Sequence, residues 1–239
     1  MPSPVSHIAF YGGSFDPVHR GHLQVARAAL HKFALDQVVF VPAGVQPFKS
    51  RLPVTAYEHR YAMLQLALEG NPRFRASRLE SPEAMHSLGA EASYTVDTLA
   101  RFRAELPSAA RLFLLIGMDA FQQIAKWRSA VELLRSTECI VASRPGFPLA
   151  GVVEALPAEL RPAPEAAEEM LRGGELRTHE VRIHLLPDVQ EEVSATAIRE
   201  AARSGQGLRE LVPAPVAEYI VAHRLYTAQD AALPAPPRQ

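Results

Sequence analysis

From Gly12 to Leu23 the chain reads Gly-Gly-Ser-Phe-Asp-Pro-Val-His-Arg-Gly-His-Leu, its densest group of residues able to do chemistry. Gly12 and Gly13 let the backbone approach a ligand closely. His19 and His22 stand three apart, so on the first turn of a helix their rings share one face. A helix starting near Gly21 aims free N–H groups and a positive dipole end at an anion. Two imidazoles beside such a site donate hydrogen bonds to phosphoryl oxygens and offset charge developing on a leaving group. The same residue types also suit a metal triad of Asp16, His19 and His22, or histidines with a purely structural role. Neither a G-x-x-x-x-G-K-[ST] loop nor a G-x-G-x-x-G fingerprint occurs, so a bound ATP needs another device.

Holding that segment in place requires a strand, a glycine turn and a helix in succession, and the hydrophobic pattern supplies them. Residues 8–11 read as a short buried strand running into Gly12-Gly13, and residues 21–33 carry Leu23, Ala26, Leu30 and Phe33 at helical spacing. Further strands are expected over 37–41, 74–79, 111–116, 138–143 and 182–186. Helices are expected over 57–68, 95–106, 130–134 and 216–223, and from the N-cap candidate Ser194 onward. Strands alternating with helices imply parallel βαβ units with right-handed crossovers. The expected fold is α/β: a doubly wound, Rossmann-like parallel sheet with helices on both faces.

One domain is expected over residues 1–226. Within it, 145–180 reads as a peripheral excursion: Pro148, Pro157, Pro162 and Pro164 punctuate an Ala- and Glu-rich stretch with few large apolar residues, in which a helix is possible over 165–171. The Pro- and Ala-rich tail, 227–239, is expected to be disordered.

Twenty-five basic residues stand against twenty-six acidic ones, a formal charge of -1, which lacks the broad positive field of a nucleic-acid binder. Cys139 is alone, so no internal disulfide forms, and its apolar neighbours mark a packed strand thiol. The first residues lack a basic region followed by an apolar one, and no apolar run is long enough to span a bilayer. No membrane partner is expected, and the cytoplasm is the expected compartment.

The run G-G-S-F-D-P-V-H-R-G-H resembles the (H/T)xGH signature of the nucleotidyltransferase superfamily, and Ser194-Ala195-Thr196-Ala197-Ile198-Arg199 resembles its second signature, S-[ST]-T-x-[IL]-[RK]. Taken alone, Ser-x-Thr before a helix is an ordinary N-cap; as a signature it supplies hydroxyls, N-terminal N–H groups and a cation for ATP phosphates. Between the signatures the chain is similar to bacterial nicotinate-nucleotide adenylyltransferases, in Val41-Pro42 leading to Lys49, Ser93-Tyr94-Thr95-Val96-Asp97-Thr98-Leu99, Ile116-Gly117-Met118-Asp119, Trp127 before Glu132-Leu133-Leu134, and Arg144-Pro145-Gly146. The likeness covers roughly Ile8 to Tyr226.

That resemblance implies transfer of the adenylyl group of ATP, carried with Mg2+, to nicotinate mononucleotide. It places ATP against Gly12, Gly13, Ser14, Phe15, Gly117, Asp119, Ser194, Thr196 and Ile198, with His19, His22, Lys49 and Arg199 as charge-stabilising groups. Tyr94, Thr95, Trp127 and Arg144 then belong to the acceptor, Trp127 stacking on the pyridine ring; without the resemblance, the single Trp reads first as a core residue. Three departures stand out: Gln46-Pro47-Phe48-Lys49 replaces the usual Pro-Pro-His-Lys, residues 80–92 hold His86 but no Arg or Lys, and Ala195 replaces a Ser. Competing readings are another superfamily adenylyltransferase, such as the pantetheine-phosphate enzyme, and a catalytically silent nucleotide-binding module. An RNA-binding protein on a related fold is opposed by the charge balance.

Overall fold

Each apolar run expected as a strand pairs into one sheet in the computed structural model, which describes residues 6–45, 54–90, 92–187, 189 and 193–227. The strands are β1 (His7–Gly13), β2 (Gln37–Pro42), β3 (Phe74–Ala76), β4 (Arg111–Gly117), β5 (Glu138–Ala142), β6 (Glu175–Arg177) and β7 (Arg182–Leu186). They lie in the order β3-β2-β1-β4-β5-β7-β6, parallel throughout except where β6 meets β7. The helices are α1 (Arg20–Lys32), α2 (Tyr57–Leu68), α3 (Pro82–Ser87), α4 (Thr95–Glu105), α5 (Met118–Phe121), α6 (Ala130–Ser136), α7 (Val152–Ala155), α8 (Pro164–Arg172), α9 (Ala195–Arg203) and α10 (Ala214–Ala222).

Side chains alternate across the sheet because a strand has a period of two. Ala9, Tyr11, Val38, Phe40, Phe113 and Leu115 pack on one face with Leu23 and Leu30 of α1, Ile198 of α9 and Ile220 of α10. Ile8, Phe10, Val39, Val41, Leu114 and Ile116 pack on the other with Leu99 and Phe102 of α4, Phe121 of α5 and Leu133 of α6. Both faces are covered, so the strands read as near-continuous apolar runs. The doubly wound, Rossmann-like α/β arrangement is therefore as expected.

Strands step outward from β1 through β2 to β3 on one side, and through β4, β5 and β7 on the other. The winding reverses between β1 and β4, whose register sets Tyr11 against Leu115. A crevice opens at such a reversal beyond the carboxyl ends of the strands, where open α/β sheets take their ligands. Gly12-Gly13 and Gly117 end the two strands that form it.

Three features differ from the sequence expectation. β3 stops at Ala76, since the chain turns there and α3 follows, with Ser81 as its N-cap accepting from the Ala84 N–H and Pro82 in the first turn. A Ser-Pro-Glu sequence is itself a helix start. The excursion at 145–180 is not merely peripheral: Val152, Leu156, Leu160 and Leu176 are buried in the second core, and β6 adds an antiparallel edge strand. Its apolar residues are few but set between prolines and glutamates, so no periodicity announces them. Helix α8 lies where one was expected.

Cys139 is buried in β5, and burial pushes its thiol up to about 12, an unreactive packed residue. Among the described residues no helix is long and apolar enough to cross a membrane.

Candidate active site at the carboxyl ends of β1 and β4

A cleft of about 580 Å³ occupies the reversal point. Its wall unites most residues singled out from the sequence: Gly12, Gly13, Ser14, His19, His22, Tyr94, Thr95, Gly117, Asp119, Trp127 and Arg144. Val189 and Val193 also border it, so the chain entering α9 passes its edge. Lys49, with Gln46, Pro47 and Phe48, lies outside the described residues, as does 228–239 of the tail.

The two histidines sit where β1 hands over to α1. His19 is the N-cap of α1 in extended conformation, and the ring centroids of His19 and His22 are 3.7 Å apart. The His19 N–H donates to His22 Nδ1 at 3.3 Å. Phe15, held at a left-handed φ of 45°, sets its ring 4.9 Å from His22. A non-glycine residue in that region costs free energy and persists only where surroundings fix it. Burial, with the nearby Arg144 guanidinium, lowers His19 to about 4. His22 falls well below its ordinary value through burial, His19 and Arg144. Both imidazoles are neutral near pH 7.

Side chains from distant parts of the chain lock the turn between β1 and α1. The Asp16 carboxylate is buried and accepts from the Tyr226 hydroxyl at 2.8 Å and the Thr55 N–H at 3.3 Å. Arg60 of α2 donates to the carbonyls of Ser14 and Thr55, each at 2.8 Å. Arg199 of α9 donates to the Asp16 carbonyl at 2.8 Å and to the Thr196 hydroxyl at 3.1 Å. The carboxylate of Asp16 is thus a fastening of the loop, and a triad of Asp16, His19 and His22 is not assembled. Among the described residues no three His, Cys, Asp or Glu are grouped to hold a metal ion.

The second signature stands against the first without lining the cleft. Ser194 caps α9, its hydroxyl accepting from the Ala197 N–H at 3.2 Å. Thr196 is exposed, and Arg199 reaches the loop as described. The side chains of Phe15 and Ile198 are buried in the core, so a ligand meets at most their backbone. At these two positions the side chains support the site from behind.

Across the cleft, α5 follows β4 without a connecting loop. Asp119 in its first turn forms a close ion pair with Arg144, just past β5. A Cβ on Gly117 would sit 2.6 Å from the Asp119 carboxylate, so any larger residue there pushes that carboxylate from its place. Trp127 is half-buried at the rim rather than sealed in the core, leaving ring surface for a ligand. Tyr94 is the N-cap of α4 without a side-chain cap bond.

Two residues on the wall went unnoticed in the sequence. Glu80 is buried, accepting from the Thr98 hydroxyl at 2.7 Å and the Gly44 N–H at 3.3 Å, and burial raises its carboxyl pKa. It ties the segment after β2 to α4; a lone Glu between a strand and a Pro gave no signal of this. Arg128, beside Trp127, lays its guanidinium 4.6 Å from the Tyr94 ring centroid.

Comparison with known proteins adds a third line. The Cytidylyltransferase-like family matches over residues 10–201. A protein of Moorella thermoacetica described as a "probable nicotinate-nucleotide adenylyltransferase" is 38% identical over 222 residues, covering 92% of this chain and 91% of its own. One of Laribacter hongkongensis, described in the same words, is 39% identical over 228 residues, covering 94% and 96%. The Plasmodium falciparum nicotinic acid mononucleotide adenylyltransferase complexed with NaAD superposes with a TM-score of 0.69 at 18% identity, over 92% of this chain and 97% of that one. This last likeness is one of fold.

Proposed function

Since the chain belongs to the Cytidylyltransferase-like family, and within it to the nicotinate-nucleotide adenylyltransferases, we propose that its cleft moves the adenylyl group of ATP onto nicotinate mononucleotide. The products are nicotinate adenine dinucleotide and pyrophosphate, a step of NAD biosynthesis. The observation that carries the site assignment is the pair of neutral imidazoles at the N-terminus of α1, set at the winding reversal of the sheet.

A phosphate oxygen of the mononucleotide attacks the α-phosphorus of ATP in line, the bond from that phosphorus to the bridging oxygen breaks, and pyrophosphate departs. The nucleophile is already anionic, so catalysis rests on positioning and charge stabilisation. The positive end of α1, where Gly21 lines the cleft, and the Gly12-Gly13 backbone are assigned to the ATP phosphates. With His22 Nδ1 accepting from the His19 N–H, the ring proton of His22 lies on Nε2 and is free to donate to a phosphoryl oxygen. Arg199, beside Ser194 and Thr196, and Lys49 are assigned to the leaving phosphates. Gly117 and Asp119 are assigned to the ribose region, and Trp127 to the pyridine ring, with Tyr94, Thr95 and Arg144 around the acceptor. Mg2+ enters as part of the substrate Mg-ATP; the carboxylates on the wall, Glu80 and Asp119, already have partners, which suits a cation held mainly by phosphate oxygens and water.

Pyrophosphate release from Mg-ATP, compared for nicotinate mononucleotide and phosphopantetheine, tests the reading. Release with the mononucleotide alone is expected. Preference for phosphopantetheine would move the chain to another branch of the family, and ATP binding without release from either would make it a silent nucleotide-binding module.

A further inference from the structure

The acceptor's pyridine ring carries a carboxylate in nicotinate mononucleotide and a neutral amide in nicotinamide mononucleotide. We propose that Arg128 makes this distinction by offering its guanidinium to the carboxylate, an inference that rests on the acceptor assignment above.

Among the described residues the cleft wall carries three permanent cations: Lys126, Arg128 and Arg144. Arg144 is taken by Asp119, and the Lys126 ammonium, which donates to the Gln123 side chain at 2.9 Å, is a point charge without the planar fork that matches a carboxylate. Arg128 follows Trp127 directly in the chain and stacks on Tyr94, the two aromatic residues assigned to the acceptor. Stacking on a ring orients the guanidinium plane while leaving the N–H groups at its edge available for a planar, bidentate partner. A carboxylate is such a partner; an amide has one acceptor oxygen and no charge. The anion nearest Arg128 is Asp97, at 3.6 Å, with both side chains 57% exposed. Exposed pairs of this kind are weak, so a substrate carboxylate can replace Asp97. The positive end of α4, which begins at Thr95 beside Tyr94, adds to the field on the same side.

The experiment compares kcat/KM for the acid and amide mononucleotides at saturating Mg-ATP in the wild type, Arg128→Gln and Arg128→Lys. Arg128 is exposed, so melting temperatures should coincide and the variants should report on recognition. In Arg128→Gln the acid should lose about fivefold, through KM, the upper end for one solvent-accessible charged contact. The amide and the KM for ATP should stay within about twofold, and Arg128→Lys should recover part of the loss. Equal losses for acid and amide would reduce Arg128 to a packing role, and no loss with either would remove it from the acceptor site; both overturn the proposal. A wild type that uses neither mononucleotide would overturn the acceptor assignment itself, and this inference with it.

Discussion

A neutral imidazole donates through a single nitrogen, so the tautomer of His22 decides what that residue can offer a phosphate. Burial keeps both rings neutral: His19 is lowered to about 4 and His22 well below its ordinary value. In the unfolded chain both bind protons near pH 6.5. Stability from keeping them neutral is therefore complete above about pH 6.5 and drains away as pH falls toward 4, with His19 alone accounting for up to about 3 kcal/mol. Denaturant midpoints between pH 7 and pH 4.5 should fall more steeply for the wild type than for His19→Gln. Parallel curves would contradict the burial of His19 as the cause. At this scale the sequence pointed to His19, His22 and the glycines by residue type, and the structure gathers them at one cleft. It was silent on Glu80 and Arg128, whose roles come from what the fold sets beside them.

Elements far apart in the chain converge on the turn between β1 and α1. Arg60 comes from α2, Arg199 from α9, and Tyr226 from just beyond α10. Tyr226→Phe removes a hydroxyl donor from the buried Asp16 carboxylate, so it should destabilise the protein by about 1–3 kcal/mol. It should also lower kcat, because the loop that sets His19 loses a restraint. Unchanged unfolding free energy, within about 0.5 kcal/mol, would show that the loop stands without this bond. Arg60 was legible in principle: a charged residue three positions after Tyr57 on the inward face of an otherwise apolar helix asks for a buried partner. The partners, the Ser14 and Thr55 carbonyls, are backbone groups that no sequence pattern reports.

The whole molecule followed from its apolar runs, because both faces of a parallel sheet are buried and leave near-continuous hydrophobic strands. Strand order added what the runs alone did not carry: the reversal between β1 and β4 sets the carboxyl ends of those two strands at one crevice. The stretch at 145–180 is less legible, since its buried residues are scattered rather than periodic. Leu156→Ala should cost about 2–5 kcal/mol if this stretch is core, as its burial indicates; a cost below about 0.5 kcal/mol would return it to the periphery. The most direct test of adenylyl transfer at the imidazole pair is a single-turnover reaction with ATP labelled at the α-phosphorus and nicotinate mononucleotide. Wild type should place the label in the dinucleotide. His22→Ala, folded to the same melting temperature, should do so at least about 100-fold more slowly, the scale of a lost donor to transition-state charge. Labelling at an undiminished rate in that variant, or no labelled dinucleotide from the wild type, would contradict the account.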